Sequence, residues 1–169
     1  MSGRDSEAGR AVPPLVRPYA PADEGAVRAC FIALQDHEHA FAPEAPTGAA
    51  LAEEYLPFML ARCAAPGGAL LVAEAGGAVV GFASLLIRPR AEPDDSDAVH
   101  AEVAEFSVLP THRGRGIGTA LLAEAERRAR AAGATSLRVR VDARNPEARR
   151  LYERAGFAPA VVHLHKPLR

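Results

Sequence analysis

No apolar run in this chain approaches the ~20 residues that a membrane-spanning helix requires, so no membrane partner is expected. An excess of one charge is missing as well. Twenty Lys and Arg stand against 21 Asp and Glu, a net charge of -1, which argues against a nucleic-acid binder held by electrostatics. Cysteine is scarce. The two present, Cys30 and Cys63, fall on apolar faces of expected helices, which points to packing in a reducing compartment rather than to a disulfide framework. The 14 prolines and 14 glycines are scattered, so there is no low-complexity tract. The opening MSGRDSEAGR is polar, without the apolar core of a signal peptide, and a cytoplasmic location is expected. What is present is ordinary globular material: 49% hydrophobic and 24% charged over 169 residues, suited to a single core.

Residues 1–13 read as a disordered leader to a single domain over 14–169. Leu15-Val16-Arg17 suits a short strand. Pro21 is placed for the first turn of a helix, with Asp23 and Glu24 near its positive end. Val27, Cys30, Phe31 and Leu34 then recur at i, i+3, i+4, i+7, the stripe of a half-buried helix. A second helix is expected from about Gly48 to Ala64, with Pro57 kinking or splitting it. Beyond Pro66-Gly67-Gly68 the period changes to that of strands. A continuous apolar run, Ala69–Ala73, meets the two-residue turn Gly76-Gly77 and a partner strand from Ala78 to Ile87. Residues 88–98 read as an acidic, proline-containing loop, and a central strand follows over Val99–Leu109. An Ala/Leu-rich helix stops at Gly133, a strand alternates Leu137, Val139 and Val141 with polar residues, and a short helix spans Asn145–Ala155. Phe157–Leu168 suits a terminal strand or hairpin.

The link between the central strand and the Ala/Leu helix reads Arg113-Gly114-Arg115-Gly116-Ile117-Gly118-Thr119. Glycine lets backbone approach a ligand closely, and first-turn N–H groups of a helix have no partner within it. With the helix dipole and two arginines added, this is a pyrophosphate site in waiting. A Walker loop would need Gly-Lys-Ser/Thr, which is absent. The dinucleotide fingerprint needs a third glycine where Thr119 stands.

Arg-x-x-Gly-x-Gly after a strand resembles the acyl-CoA loop of the GNAT superfamily of N-acetyltransferases. A second motif, Asn145-Pro146-Glu147-Ala148-Arg149-Arg150-Leu151-Tyr152-Glu153-Arg154-Ala155-Gly156-Phe157, is similar to that superfamily's Asn-x-x-Ala-x-x-Leu-Tyr-x-x-x-Gly-Phe at every specified position. The two lie one helix and one strand apart, as in the family. The resemblance implies an α/β (α+β) fold: a mixed, mostly antiparallel sheet of six to seven strands, splayed between strands 4 and 5 and flanked by about four helices. It implies acetyl-CoA as acyl-donor co-substrate, its pantetheine arm along Phe106, Ser107 and Val108. The pyrophosphate would meet Arg113, Gly114, Arg115, Gly116, Ile117, Gly118 and Thr119, while Asn145 and Ala148 would lie near the arm. Tyr152 matches the family's general acid beside the sulfur, and a Val108 N–H is the candidate oxyanion donor. A homodimer through the C-terminal strands is a further possibility the resemblance raises.

The chemistry sets its own demands. An ammonium has no lone pair, so a site for amine acetylation must remove a proton, stabilise an oxyanion and protonate a leaving thiolate. A phenol with an unperturbed pKa of about 10 can serve as that last donor. For the base, Glu102 stands six residues before Val108 and Glu105 three before it. A regular strand would point them to opposite faces, so both could line one site only across a bulge. Glu102 is favoured; Glu105, or ordered water alone, is the alternative.

His37-Glu38-His39 lacks the i, i+4 spacing of a helical metal site, and no metal is expected. This cluster and Asp94-Asp95-Ser96-Asp97 could instead favour a cationic acceptor, with Asp36 and Glu38 as the residues to test. His112, in the loop, suits plain solvent exposure, and His163 and His165 have no assignable role. The expected function is an N-acetyltransferase acting on a primary amine of a small molecule or peptide. The alternatives are a ribosomal-protein-type Nα-acetyltransferase and a non-catalytic acyl-CoA-binding regulatory module.

Overall fold

The computed structural model describes residues 14–41, 46–89, 99–164 and 166. The leader 1–13, the acidic segment Asp94–Asp97 and His165 lie outside the described residues. Five strands form one sheet in the order β1-β2-β3-β4-β5: β1 (Leu15–Pro18), β2 (Gly68–Ala75), β3 (Ala78–Pro89), β4 (Val99–Val108) and β5 (Ser136–Val139). The first four pair antiparallel, and β4 pairs with β5 in parallel. Four helices complete it: α1 (Glu24–His39), α2 (Gly48–Ala64), α3 (Ile117–Ala131) and α4 (Pro146–Arg154).

Each face of the sheet carries its own core. On one side Val27, Cys30 and Phe31 of α1 and Leu56, Met59 and Cys63 of α2 pack on Leu70, Val72 and Phe82. Both thiols are free and buried, and burial pushes each up to about 11, so they remain protonated packing groups. On the other side Leu121, Leu122, Ala125 and Ala129 of α3 lie on Leu71, Ala83, Leu85 and Val103, and Tyr152 of α4 joins that cluster.

Two expectations change. Pro57 does not split α2, which runs unbroken from a Thr47 N-cap. Pro57 and Glu53, whose carbonyl loses its i+4 donor, both face solvent, so the missing bond is not left in the core. Among the described residues the sheet has five strands against the six to seven expected, because those after Phe157 form no ladder. Val161, Val162 and Leu164 are exposed there, with no sheet face to bury them. The remaining order of elements is as the periodicity indicates, with Gly76 and Gly77 at φ 61° and 80° in the hairpin turn.

Candidate active site

The pairing of β4 with β5 extends only from His100↔Ser136 to Val103↔Val139. Past Val103 the strands part, and a cleft of about 1660 Å³ opens between them. β4 itself turns at that point. Ala83 pairs with Phe106 but Leu85 with Val103, so Ala104 and Glu105 together oppose Ser84 in a bulge. The Ser84 hydroxyl holds it, accepting from the Glu105 N–H at 2.8 Å and donating to the Glu105 carboxylate. The extra residue reverses the alternation. Val103 and Phe106 therefore reach the same core on the α3 side, which leaves Glu102 and Glu105 sharing the opposite face.

Leu109 N–H donates to Val80 O at 2.9 Å, which makes that pair a hydrogen-bonded one. By the antiparallel alternation, Val108 and Phe106 then turn their N–H and C=O groups away from β3, into the gap. Arg113 Nε, 3.1 Å from Val108 O, occupies one of these groups. Ser107 turns the other way and donates its hydroxyl to Cys30 O at 2.9 Å.

The Arg/Gly loop closes one end of the cleft. Gly116 caps α3 at φ 79°, a conformation that a side chain would strain, and contributes no capping side chain. The first intrahelical bond is Ala120 N–H to Gly116 O at 3.0 Å, so the N–H groups of Ile117, Gly118 and Thr119 have no helical acceptor. All three residues line the cleft, as do Arg113, Gly114 and Gly116. Arg115 does not; it projects to solvent outside the cleft. A Cβ on Gly118 would sit 3.2 Å from Leu151 and 3.3 Å from the Phe106 ring, so glycine lets α3 and α4 meet there. Asn145 caps α4 by accepting from Ala148 N–H at 3.1 Å, and both residues line the cleft.

Tyr152 lies at the centre, 9% exposed, with Phe106 and Phe157 rings 6.2 and 5.7 Å away. Burial, followed by the nearby charge of Glu38, pushes its phenol up to about 12, so it remains a proton donor at neutral pH.

The two β4 glutamates have different surroundings. Glu105, 7% exposed, lines the cleft. Its oxygens accept from Arg62 Nη2 at 2.6 and 2.8 Å and also from Tyr55 and Ser84. Glu102 does not line the cleft. It stands where β5 still covers β4, opposite Arg138, and pairs with Arg88 at 2.9 Å and Arg140 at 3.8 Å.

The other end of the cleft is lined by Gln35, His37, Glu38 and His39 of α1, Tyr55 of α2, and Asp142. Asp36 is not among them, because its carboxylate accepts from Gly48 N–H at the start of α2, at 2.9 Å. Asp142 accepts from Arg144 at 2.7 and 3.0 Å, which holds its carboxyl down at about 2. His112 and His163 stand on the rim. Sequence reasoning missed the Tyr55–Arg62–Glu105 cluster. Tyr55 and Arg62, two helical turns apart, did share a face, but nothing local tied that face to β4. No group of three or more potential metal ligands occurs among the described residues.

The chain matches the family model of the acetyltransferase (GNAT) family over residues 31–157. It is 34% identical over 117 residues to the aminoglycoside N(6')-acetyltransferase type 1 of Klebsiella aerogenes, covering 68% of this chain and 76% of that protein. Against the mycothiol acetyltransferase of Beutenbergia cavernae it is 40% identical over 67 residues, 40% of this chain and 23% of that protein. Among solved structures, the aminoglycoside N-acetyltransferase AAC(6')-Iy in complex with CoA superposes with a TM-score of 0.67 at 18% identity, covering 91% of this chain and 98% of the other.

Proposed function

Because the chain belongs to the GNAT acetyltransferase family, we propose that it moves the acetyl group of acetyl-CoA directly to a primary amine of a small molecule. One observation carries this reading: the Tyr152 phenol stands in a cleft that joins unpartnered backbone N–H groups at the α3 N-terminus to the open edge of β4. Those groups fit the diphosphate and the amide-rich arm of the coenzyme, which supplies an activated acyl carbon when bound. Ile117, Gly118 and Thr119 direct N–H groups at the phosphates, and Arg113 adds charge. The free edge of Phe106 and Val108 orients the arm as an added strand would. Val108 N–H meets the oxygen on which negative charge develops. Tyr152 gives its proton to the departing sulfur, and its burial keeps that proton in place until then. Glu105, with both oxygens occupied, fixes Tyr55 and Arg62 rather than exchanging protons.

The small-molecule acceptor is favoured over a peptide because the Klebsiella relative, matched over most of its length, is named for an aminoglycoside. Calorimetry with acetyl-CoA, then thiol release across a panel of alkyl amines, aminoglycosides, amino-sugar thiols and peptides, tests the proposal. Micromolar binding with turnover on a small amine is the expected result. Binding without turnover on any amine would make the protein an acyl-CoA-binding module, and no binding at all would overturn the reading.

A further inference from the structure

Resting on that transferase reading, we propose that Glu38, and not a carboxylate of β4, is the base that takes the proton from the acceptor's ammonium group. Three carboxylates line the acceptor half of the cleft: Glu38, Glu105 and Asp142. Glu105 is committed to Arg62, Tyr55 and Ser84, and protonating it would break the charge pair at its core. Asp142 is committed to Arg144, which makes it a poor proton acceptor. Glu38 forms no ion pair with any Lys, Arg or His among the described residues. It reaches water through the mouth of the cleft, so it can pass a proton to solvent after each turnover.

Its position also tunes it. Glu38 lies in the last turn of α1, at the negative end of the helix dipole, where a carboxylate anion is disfavoured. The cleft wall takes part of its hydration although the residue stays open to water at the mouth, and the charges of Asp142 and then Glu105 repel it, so its carboxyl is held above the usual carboxylate value. A base so raised binds a proton more firmly, which is what abstraction from an ammonium requires. The same charge acts on the Tyr152 phenol, so proton acceptor and proton donor stand within electrostatic reach of each other. Asp142, from the segment after β5, and Glu105 of β4 are the charges that act on Glu38. The same cleft is lined by Tyr55 of α2, Arg140 after β5, Arg150, Tyr152 and Arg154 of α4, and His163. His37 and His39 flank it on its own helix.

The proton count closes. Glu38 takes one proton from the ammonium, and the freed lone pair forms the C–N bond at the thioester carbon. As the C–S bond breaks, the electron pair leaves on sulfur and the thiolate takes the Tyr152 proton. The nitrogen's surplus proton restores the phenol, and Glu38 releases its own to water. The sum is ammonium plus thioester giving amide, thiol and one proton.

The test uses the whole chain with Glu38→Gln and Glu38→Asp, following thiol release from acetyl-CoA. Two nucleophiles are compared: the best alkyl amine of the panel, and hydroxylamine, which is largely unprotonated at neutral pH. Glu38→Gln should lower kcat/KM for the alkyl amine about 100-fold and remove the acid limb of its pH profile. Hydroxylamine turnover should change by less than about threefold, because no proton needs to be removed from it before attack. Acetyl-CoA affinity should be unchanged, and Glu38→Asp should recover part of the rate. Undiminished alkyl-amine turnover in Glu38→Gln overturns the assignment. So does an equal loss with both nucleophiles, or a raised KM at constant kcat, which would mark a cation-binding residue only. A wild-type chain that binds acetyl-CoA yet acetylates no amine removes the transferase reading and this base together.

Discussion

Along the half of the cleft proposed for the coenzyme, from the free edge of β4 to the first turn of α3, the groups presented are largely backbone: Phe106, Val108, Ile117, Gly118 and Thr119, with glycine at 118 where a Cβ would crowd Leu151 and Phe106. The acceptor half is assembled from side chains on α1, α2, β4 and the segment after β5, tied by Arg62–Glu105 and Asp142–Arg144 ion pairs. Backbone recognition suits a ligand that never changes, because it depends on chain path and tolerates most side chains. Side-chain recognition can be rewritten one residue at a time without moving the coenzyme. The two halves should therefore fail differently when mutated.

Glu105→Ala should have the largest effect. It leaves Arg62 without its carboxylate beside a buried wall and releases Tyr55 and Ser84, so roughly 3 kcal/mol of stability should be lost, read as a drop in Tm. The protein that remains folded should bind acetyl-CoA within about twofold of wild type, since no coenzyme-facing backbone has moved. A collapse of acetyl-CoA affinity would show that the bulge couples the halves. Tyr152→Phe, at their junction, keeps the buried ring and removes the proton. Its kcat should fall about 100-fold with acetyl-CoA affinity intact. Because the phenol is pushed up to about 12, wild-type activity should show no alkaline limb from Tyr152 near its ordinary value of 10.0.

The same contrast accounts for what could be read in the sequence. The Arg/Gly loop, the helix start at Asn145 and the Gly76-Gly77 turn are local arrangements whose residue types carry their conformation, so chain order alone exposes them. The two helix faces and the strand alternation gave the layers for the same reason. The acceptor half depends on pairs far apart in the chain: Tyr55 is 50 residues from Glu105, Arg62 43 and Ser84 21. Counting along β4 put Glu102 and Glu105 on opposite faces, because the bulge that aligns them is fixed by a hydroxyl on the neighbouring strand. It also favoured Glu102, which β5 keeps out of the cleft. The described residues beyond Phe157 include strand-like ones but have no ladder partner, and composition cannot supply one.

A smaller effect is expected at the coenzyme end. Gly116→Ala meets no neighbouring atom within 4 Å but must hold φ 79°, so only backbone strain is added, about 1 kcal/mol. If that strain is relieved by rotating the first-turn N–H groups, acetyl-CoA should bind about fivefold more weakly, while KM for the amine stays constant. A shift in amine KM instead would mean that the loop also shapes the acceptor half.

Asp142→Asn should have the smallest effect. Asp142 and Arg144 are 38% and 62% exposed at their side chains, so their attraction is screened by water and contributes little to stability. Removing the carboxylate takes one negative charge from a rim that also holds Glu38, and a cationic acceptor would then be drawn in less strongly. The expected change is a rise of about two- to threefold in amine KM at low salt, with acetyl-CoA affinity unaltered and the acid limb of the amine pH profile moved to lower pH, because one of the charges that hold the Glu38 carboxyl up is gone. Raising the ionic strength should erase the difference from wild type, because an exposed charge acts through a screened field while a direct contact would persist. An effect that survives high salt would place Asp142 in contact with the acceptor, and so make the rim as specific as the interior of the cleft.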